Sequence, residues 1–172
     1  HLYHRRQRQM CIRDRFEAAK VLKENKTWAL AVVGKVEKSS FLQKLQIIAK
    51  KHFIENQVYF IDETPDISAY YQVAKVVVVP SISEGFSLVA AEAMSSGCTV
   101  IATENVGVHS LLIEHGKNGY LFEAGNVVQL ENLILESIKN KTLFLGKEAR
   151  KEIITNWSAK SEADNLMELY NQ

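Results

Sequence analysis

Two glutamates eight positions apart, Glu84 and Glu92, flank the segment of this chain best suited to chemistry. A carboxylate has two acceptor oxygens, which match two neighbouring hydroxyls on a ribose or a hexose. The spacing suits a ligand with a hydroxyl cluster at each end of a diphosphate. One glutamate would hold the ribose and the other the sugar. The intervening residues support this. Pro80-Ser81-Ile82-Ser83-Glu84-Gly85-Phe86-Ser87 runs from a strand pattern into a helix pattern that starts at Leu88. Gly85 lets the backbone approach a ligand closely. Ser87 is placed to be the N-cap. The first-turn amides of such a helix have no partner within it, and its dipole adds partial positive charge, so a diphosphate can sit there without a lysine.

Other polar residues carry weaker signals. Lys35 and Lys38 follow Gly34 at the end of an apolar run, within reach of a phosphate if that loop faces the ligand. His109 lies in another candidate ligand loop. His52 reads as a partly exposed helix residue, and His115 as a residue near a helix end. Tyr70 and Tyr71 read as core residues with polar tips. Cys98 opens a buried strand pattern and suits packing better than nucleophilic attack.

The elements that must position these groups alternate along the chain. Apolar residues at helical spacing mark 16–25. Trp28 through Val33 is a strand-length apolar run stopped by Gly34. Ser39 opens a helix with Phe41, Leu45, Ile48 and Ala49 on one face. Val58–Ile61 reads as a strand, and Asp66 caps a short helix with Ile67, Tyr70, Tyr71 and Ala74 inward. Val76–Val79 is a wholly β-branched strand, followed by the helix Leu88–Ser95 with Gly97 as its terminator. A strand is expected over 99–102, a short helix around 111–114 and a short strand over Tyr120–Phe122. Three helices follow, around 127–139, 143–155 and 159–170. Strands that are apolar throughout, each followed by a helix, imply an α/β fold: a Rossmann-like, mostly parallel sheet with helices on both faces. Ligands bind such sheets beyond the C-terminal ends of the strands. That singles out the loops 34–38, 62–65, 81–87 and 103–109.

The bulk properties narrow the classes. The chain has 172 residues, 47% apolar, with a formal net charge of +1. This fits one domain and gives no case for a nucleic-acid binder. Two distant cysteines, Cys11 and Cys98, form neither a metal pattern nor a disulfide framework, which suits a reducing, cytoplasmic setting. No apolar run is long enough to span a bilayer. Of six arginines, Arg5, Arg6, Arg8, Arg13 and Arg15 crowd the first fifteen residues and only Arg150 lies beyond. This shift sets residues 1–15 apart as a basic arm that reads as foreign to the domain, and leaves 16–172 as the candidate nucleotide-sugar-binding domain.

The stretch VVVVPSISEGFSLVAAEAMSSGCTVIA, residues 76–102, resembles the retaining glycosyltransferases of the group 1, or family 4, class with the GT-B fold. In that class Pro-Ser leads into Glu-Gly-Phe-Gly, a second glutamate, Ala-Met and a Gly-x-Pro-Val turn. The strand before Gly34, the tyrosine-bearing helix before Val76, GKNGYL at 116–121 and Trp157-Ser158 are similar more weakly. The resemblance implies one half of a GT-B architecture: the donor-binding half of a two-domain enzyme, without its N-terminal acceptor domain. Such an enzyme moves a sugar from a nucleotide diphosphate sugar to a glycan or lipid-linked acceptor, with peripheral association at the inner membrane face. The resemblance assigns Glu84 to the donor sugar, as the catalytic residue, and Glu92 to the ribose. Gly85, Phe86, Ser87 and Leu88 would face the sugar and phosphates. The base would lie near Phe60–Glu63, including Ile61 and Asp62, with Gly34 and Lys35 beside it. Catalysis without a metal or other cofactor is implied, in keeping with the absence of a clustered ligand set. The chain departs from the pattern at Ser87, where glycine is usual, at Thr99, where proline is common, and at Lys75, where aspartate is common. The basic pair that holds the diphosphate would fall near Arg13–Arg15. A degenerate, non-catalytic binding or assembly module, and half of a nucleotide-sugar epimerase, are the alternative readings.

Overall fold

The computed structural model describes residues 12–35, 39–82, 87–161, 163 and 167, and of residues 140–143 the backbone alone. The first helix, α1, occupies residues 12–18 and tightens into a 3-10 helix over Ala19–Glu24. There follow β1 (Leu30–Val33), α2 (Ser39–Lys51), β2 (Val58–Ile61), α3 (Ile67–Val73), β3 (Val76–Val79) and α4 (Leu88–Ser95). The second half contains β4 (Thr99–Thr103), α5 (Gly107–Leu112), β5 (Tyr120–Phe122), α6 (Val127–Glu136) and α7 (Thr142–Asn156).

Every strand pairing among these is parallel. Parallel neighbours need a crossover, and a helix supplies it in each case. The strands form two sheets, β1-β2 and β3-β4-β5. Leu30 stands opposite Val58 in the first; Val76 opposite Thr99 and Ile101 opposite Tyr120 set the register of the second.

The larger sheet is covered on both faces, and the alternation of its side chains shows how. Val77, Val79, Val100 and Ala102 pack into a cluster with Tyr71, Ala90, Ala93, Met94 and Ile153. Val76, Val78 and Ile101 turn the other way, toward Ala18, Phe122, Leu130, Leu133 and Leu145. A strand buried on both faces needs apolar residues at every position, which is why β3 reads Val-Val-Val-Val. The smaller sheet differs. Leu30, Val32, Val58 and Phe60 join Phe16, Leu45 and Ile54 in a third cluster, while Ala31 and its register partner Tyr59 are exposed. A continuous apolar run did not distinguish these two situations.

Local chemistry explains the ends of the elements. Asp66 caps α3, its Oδ1 accepting from the Ala69 amide at 3.3 Å. Gly97 takes φ +84, the Gly97 amide donates to Met94 O at 2.9 Å, and the Cys98 amide donates to Ala93 O at 3.0 Å. That pair of bonds is a Schellman closure, and it turns the chain directly into β4. Gln57, the residue before β2, is buried and its amide donates to Leu22 O (2.9 Å), Asn25 O (3.2 Å) and Trp28 O (2.9 Å), tying the end of α1 to the start of β1.

Several boundaries differ from the sequence expectation. The helix expected from 16 is already formed at residue 12, the first described residue, and Ile12 packs against the Phe16 cluster. The helix expected around 111–114 instead spans Gly107–Leu112, and Ile113 is already extended. Glycine at its first position disguised the start. The helices expected at 127–139 and 143–155 run on through a π-helical turn at Ser137–Lys141. Nothing in the side-chain pattern distinguishes such a turn from a break. No helix among the described residues is long and apolar enough to cross a membrane.

Candidate functional site

The C-terminal ends of the strands gather most of the residues singled out above. At the smaller sheet, the Gly34 amide donates to Ile61 O at 3.0 Å, so the β1 and β2 exits lie side by side. Gly34 takes φ +132, a conformation that favours glycine. Lys35 and Asp62 are exposed next to this junction, and Ile61 is half-buried. Together they form an open shelf with a cation and an anion at its rim.

At the larger sheet, the Thr103 hydroxyl donates to Ser81 O and stitches the end of β4 to the loop after β3. Ser87 is the N-cap of α4, and its side chain makes no capping bond. It is fully buried, and its Oγ has no hydrogen-bond partner among the described residues. Leu88, the first helical residue, is 63% exposed. The first amides of α4 have no acceptor within the helix, and the buried Ser87 hydroxyl lies beside them. Glu84, Gly85 and Phe86 lie outside the described residues, as does Lys38.

Glu92 is exposed on the second turn of α4. The Tyr71 hydroxyl, on α3, donates to Glu92 Oε2 at 3.3 Å. Tyr71 itself is buried. Burial first, and the Glu92 carboxylate second, push its phenol up to about 12, so it stays protonated and can only act as a donor to that carboxylate. The sequence placed Tyr71 in the core with a polar tip but held no sign of which residue the tip would meet, 21 positions away.

His109 occupies the first turn of α5 rather than a loop and is fully buried. Its Nδ1 lies 2.8 Å from Thr103 O. A carbonyl only accepts, so Nδ1 carries the proton and Nε2 offers a lone pair in the neutral ring. That Nε2 has no hydrogen-bond partner among the described residues. Ser87 Oγ and His109 Nε2 are thus two buried, unpartnered polar atoms following adjacent parallel strands. Burying such atoms is costly unless something completes their bonding.

The remaining candidates have structural partners. His52 Nε2 sits 2.6 Å from Glu17 Oε2 and joins α2 to α1. His115 Nδ1 accepts from the Leu121 amide at 3.0 Å, in the turn leading to β5. Lys75 lies over the Trp28 ring, 5.5 Å from its centroid. The Cys98 thiol donates toward Tyr71 O at 3.1 Å, and burial raises it to about 11. Among the described residues no group of three or more His, Cys, Asp or Glu is arranged to hold a metal ion.

Comparison with known proteins bears on the family and the fold. The family model described as "Glycosyl transferases group 1" matches residues 4–159. An uncharacterized glycosyltransferase of Haemophilus influenzae is 36% identical over 118 residues, covering 69% of this chain and 33% of the relative. The lipopolysaccharide core biosynthesis mannosyltransferase LpcC of Rhizobium leguminosarum bv. viciae is 29% identical over 155 residues, covering 88% of this chain and 44% of the relative. This chain therefore spans between a third and a half of the length of those relatives. Among solved structures, the C-terminal domain of the group 1 family protein LpcC from Francisella tularensis superposes with a TM-score of 0.81 at 28% identity, covering 88% of this chain and 82% of that one. S. aureus TarM, solved with UDP, fondaparinux and alpha-GlcNAc-glycerol, gives 0.77 at 28% identity, covering 94% and 33%.

Proposed function

Because the chain belongs to the group 1 glycosyl transferases, we propose that it is the donor-binding domain of a retaining transferase that moves a sugar from a nucleotide diphosphate sugar to an acceptor. What supports this reading is the start of α4, where first-turn amides without a helical acceptor, a buried Ser87 hydroxyl without a partner among the described residues and the Glu92 carboxylate follow one another along one helix. Amides and dipole suit the diphosphate, and Glu92 suits the ribose diol. Glu84 takes the donor sugar, and Gly85, Phe86 and Leu88 border it. The shelf formed by Gly34, Lys35, Ile61 and Asp62 receives the base and the near phosphate. TarM was solved with UDP, which favours a uridine nucleotide as the first donor to try.

Transfer breaks the bond between the anomeric carbon and the diphosphate oxygen and forms one to an acceptor oxygen on the same face of the sugar. The negative charge that grows on the departing diphosphate meets the α4 amides without reorganisation. No metal is assigned a part. The acceptor is held by a second, N-terminal domain, in keeping with the share of each relative that this chain spans. The Rhizobium relative is named for lipopolysaccharide core biosynthesis, which favours a glycan or lipid-linked acceptor and work at a membrane surface.

Calorimetric titration with UDP-, GDP- and ADP-sugars, with and without EDTA, tests this. One donor should bind irrespective of EDTA, and Glu84→Gln and Glu92→Gln should each weaken it by about tenfold, the worth of a hydrogen bond to a charged group. Binding of none of the donors, or full affinity in both variants, would overturn the assignment.

A further inference from the structure

We propose that Tyr71 is a positioning residue for the donor site: from α3 its hydroxyl holds Glu92 Oε2 and so aims the rest of that carboxylate at the ribose diol. This rests on Glu92 being the ribose ligand.

Glu92 is exposed on α4, and a glutamate side chain on a helix surface samples many rotamers. A carboxylate that must meet two hydroxyls at once binds better if its plane is set beforehand. Tyr71 is equipped to set it. Its ring is buried among Ala90, Ala93 and Met94, so it cannot swing. Its backbone is fixed from behind by the Cys98 thiol, which donates toward Tyr71 O at 3.1 Å and Ala74 O at 3.4 Å. The hydroxyl is therefore a stationary donor at the edge of the core, 3.3 Å from Glu92 Oε2. Oε2 keeps a second lone pair and Oε1 keeps both, enough for two ribose hydroxyls. Burial and the adjacent carboxylate keep the phenol protonated throughout any working pH. Simple packing would need no hydroxyl here, and a phenylalanine would fill the same volume.

The experiment is calorimetry on the full chain with UDP, GDP and ADP and the 2′-deoxy form of whichever binds. Wild type should prefer the ribonucleotide. Tyr71→Phe should weaken ribonucleotide binding by about three- to tenfold, the worth of one hydrogen bond, and leave the 2′-deoxy form nearly unchanged, so the preference collapses. Glu92→Gln should collapse it too, and the double variant should lose no more than Glu92→Gln alone. Tyr70→Phe, at the neighbouring half-buried tyrosine, should behave as wild type. Should Tyr71→Phe melt far below wild type, Tyr71→Met, which fills the ring's place without a hydroxyl, provides the same readout, with the titrations run at a temperature at which circular dichroism shows the variant folded. If Glu92→Gln collapses the preference and Tyr71→Phe, or Tyr71→Met in its stead, does not, Tyr71 is packing only and the donor-site reading survives. If Glu92→Gln leaves the preference intact, or no nucleoside diphosphate binds, the ribose assignment fails and the role of Tyr71 falls with it.

Discussion

Cys98 and Tyr71 show how much a residue's neighbours decide. Both have reactive or titratable heads, and burial moves both away from reactivity. The Cys98 thiol is raised to about 11 by burial alone and is turned onto two backbone carbonyls. Thiolate is the species that attacks, so at pH 8 the folded protein should leave Cys98 unmodified by iodoacetamide, and unfolding in guanidinium should expose it. Peptide mass spectrometry distinguishes the two states, and rapid native labelling at Cys98 would contradict the burial described. The sequence was sufficient for this residue, since a cysteine opening an apolar strand is ordinarily packed. It was not sufficient for Tyr71, whose contact with Glu92 joins two helices. Nor could it show that Ser87 and His109 would be fully buried with unpartnered atoms.

The helix α4 was legible almost to the residue, because Ser87 and Gly97 mark its ends and closure depends on local geometry. Its packing was not legible. Helix α7 lies against α4 so closely that a Cβ added at Gly146 would land on the carbonyl oxygen of Gly97. Backbone cannot yield as a flexible side chain can. Gly146→Ala should therefore push α7 away from the turn that feeds β4 and cost about 1–3 kcal/mol or more, despite alanine's better helix propensity. Urea denaturation checks the sign: a stabilised variant would mean that the two helices separate easily. At α5 the reverse held, since Gly107 made a helix start look like a loop.

Across the molecule, among the described residues, three apolar clusters are joined by polar ties between elements distant in sequence. Glu17 of α1 meets Lys51, the last residue of α2, at 3.6 Å and His52, just beyond it, at 2.6 Å, and Lys20 meets Glu131 of α6 at 2.8 Å. Burial alone would raise the Glu17 carboxyl, but His52 and Lys51 outweigh it and hold the group below the ordinary 4.5. A lowered carboxylate adds stability above its unfolded value, and that stability is lost as pH falls through the folded value. Glu17→Gln should therefore lower stability to urea at pH 6, by no more than about 1 kcal/mol for so exposed a tie, and the gap should narrow as pH falls below the ordinary 4.5. Asp14, raised mainly by burial, acts in the opposite sense and is left intact by that variant. A gap unchanged with pH would show that the tie contributes nothing through charge. The elements, their parallel order and the family were readable in the sequence, because periodicity, caps and the Pro80–Glu92 motif depend on residues near one another along the chain. The split into two sheets, the exposed Ala31–Tyr59 face, the close approach of α7 to α4 and the hand that Tyr71 lends Glu92 arise between residues tens of positions apart. Which side chains meet there is set by how the helices pack on the strands, and folding in three dimensions alone decides it.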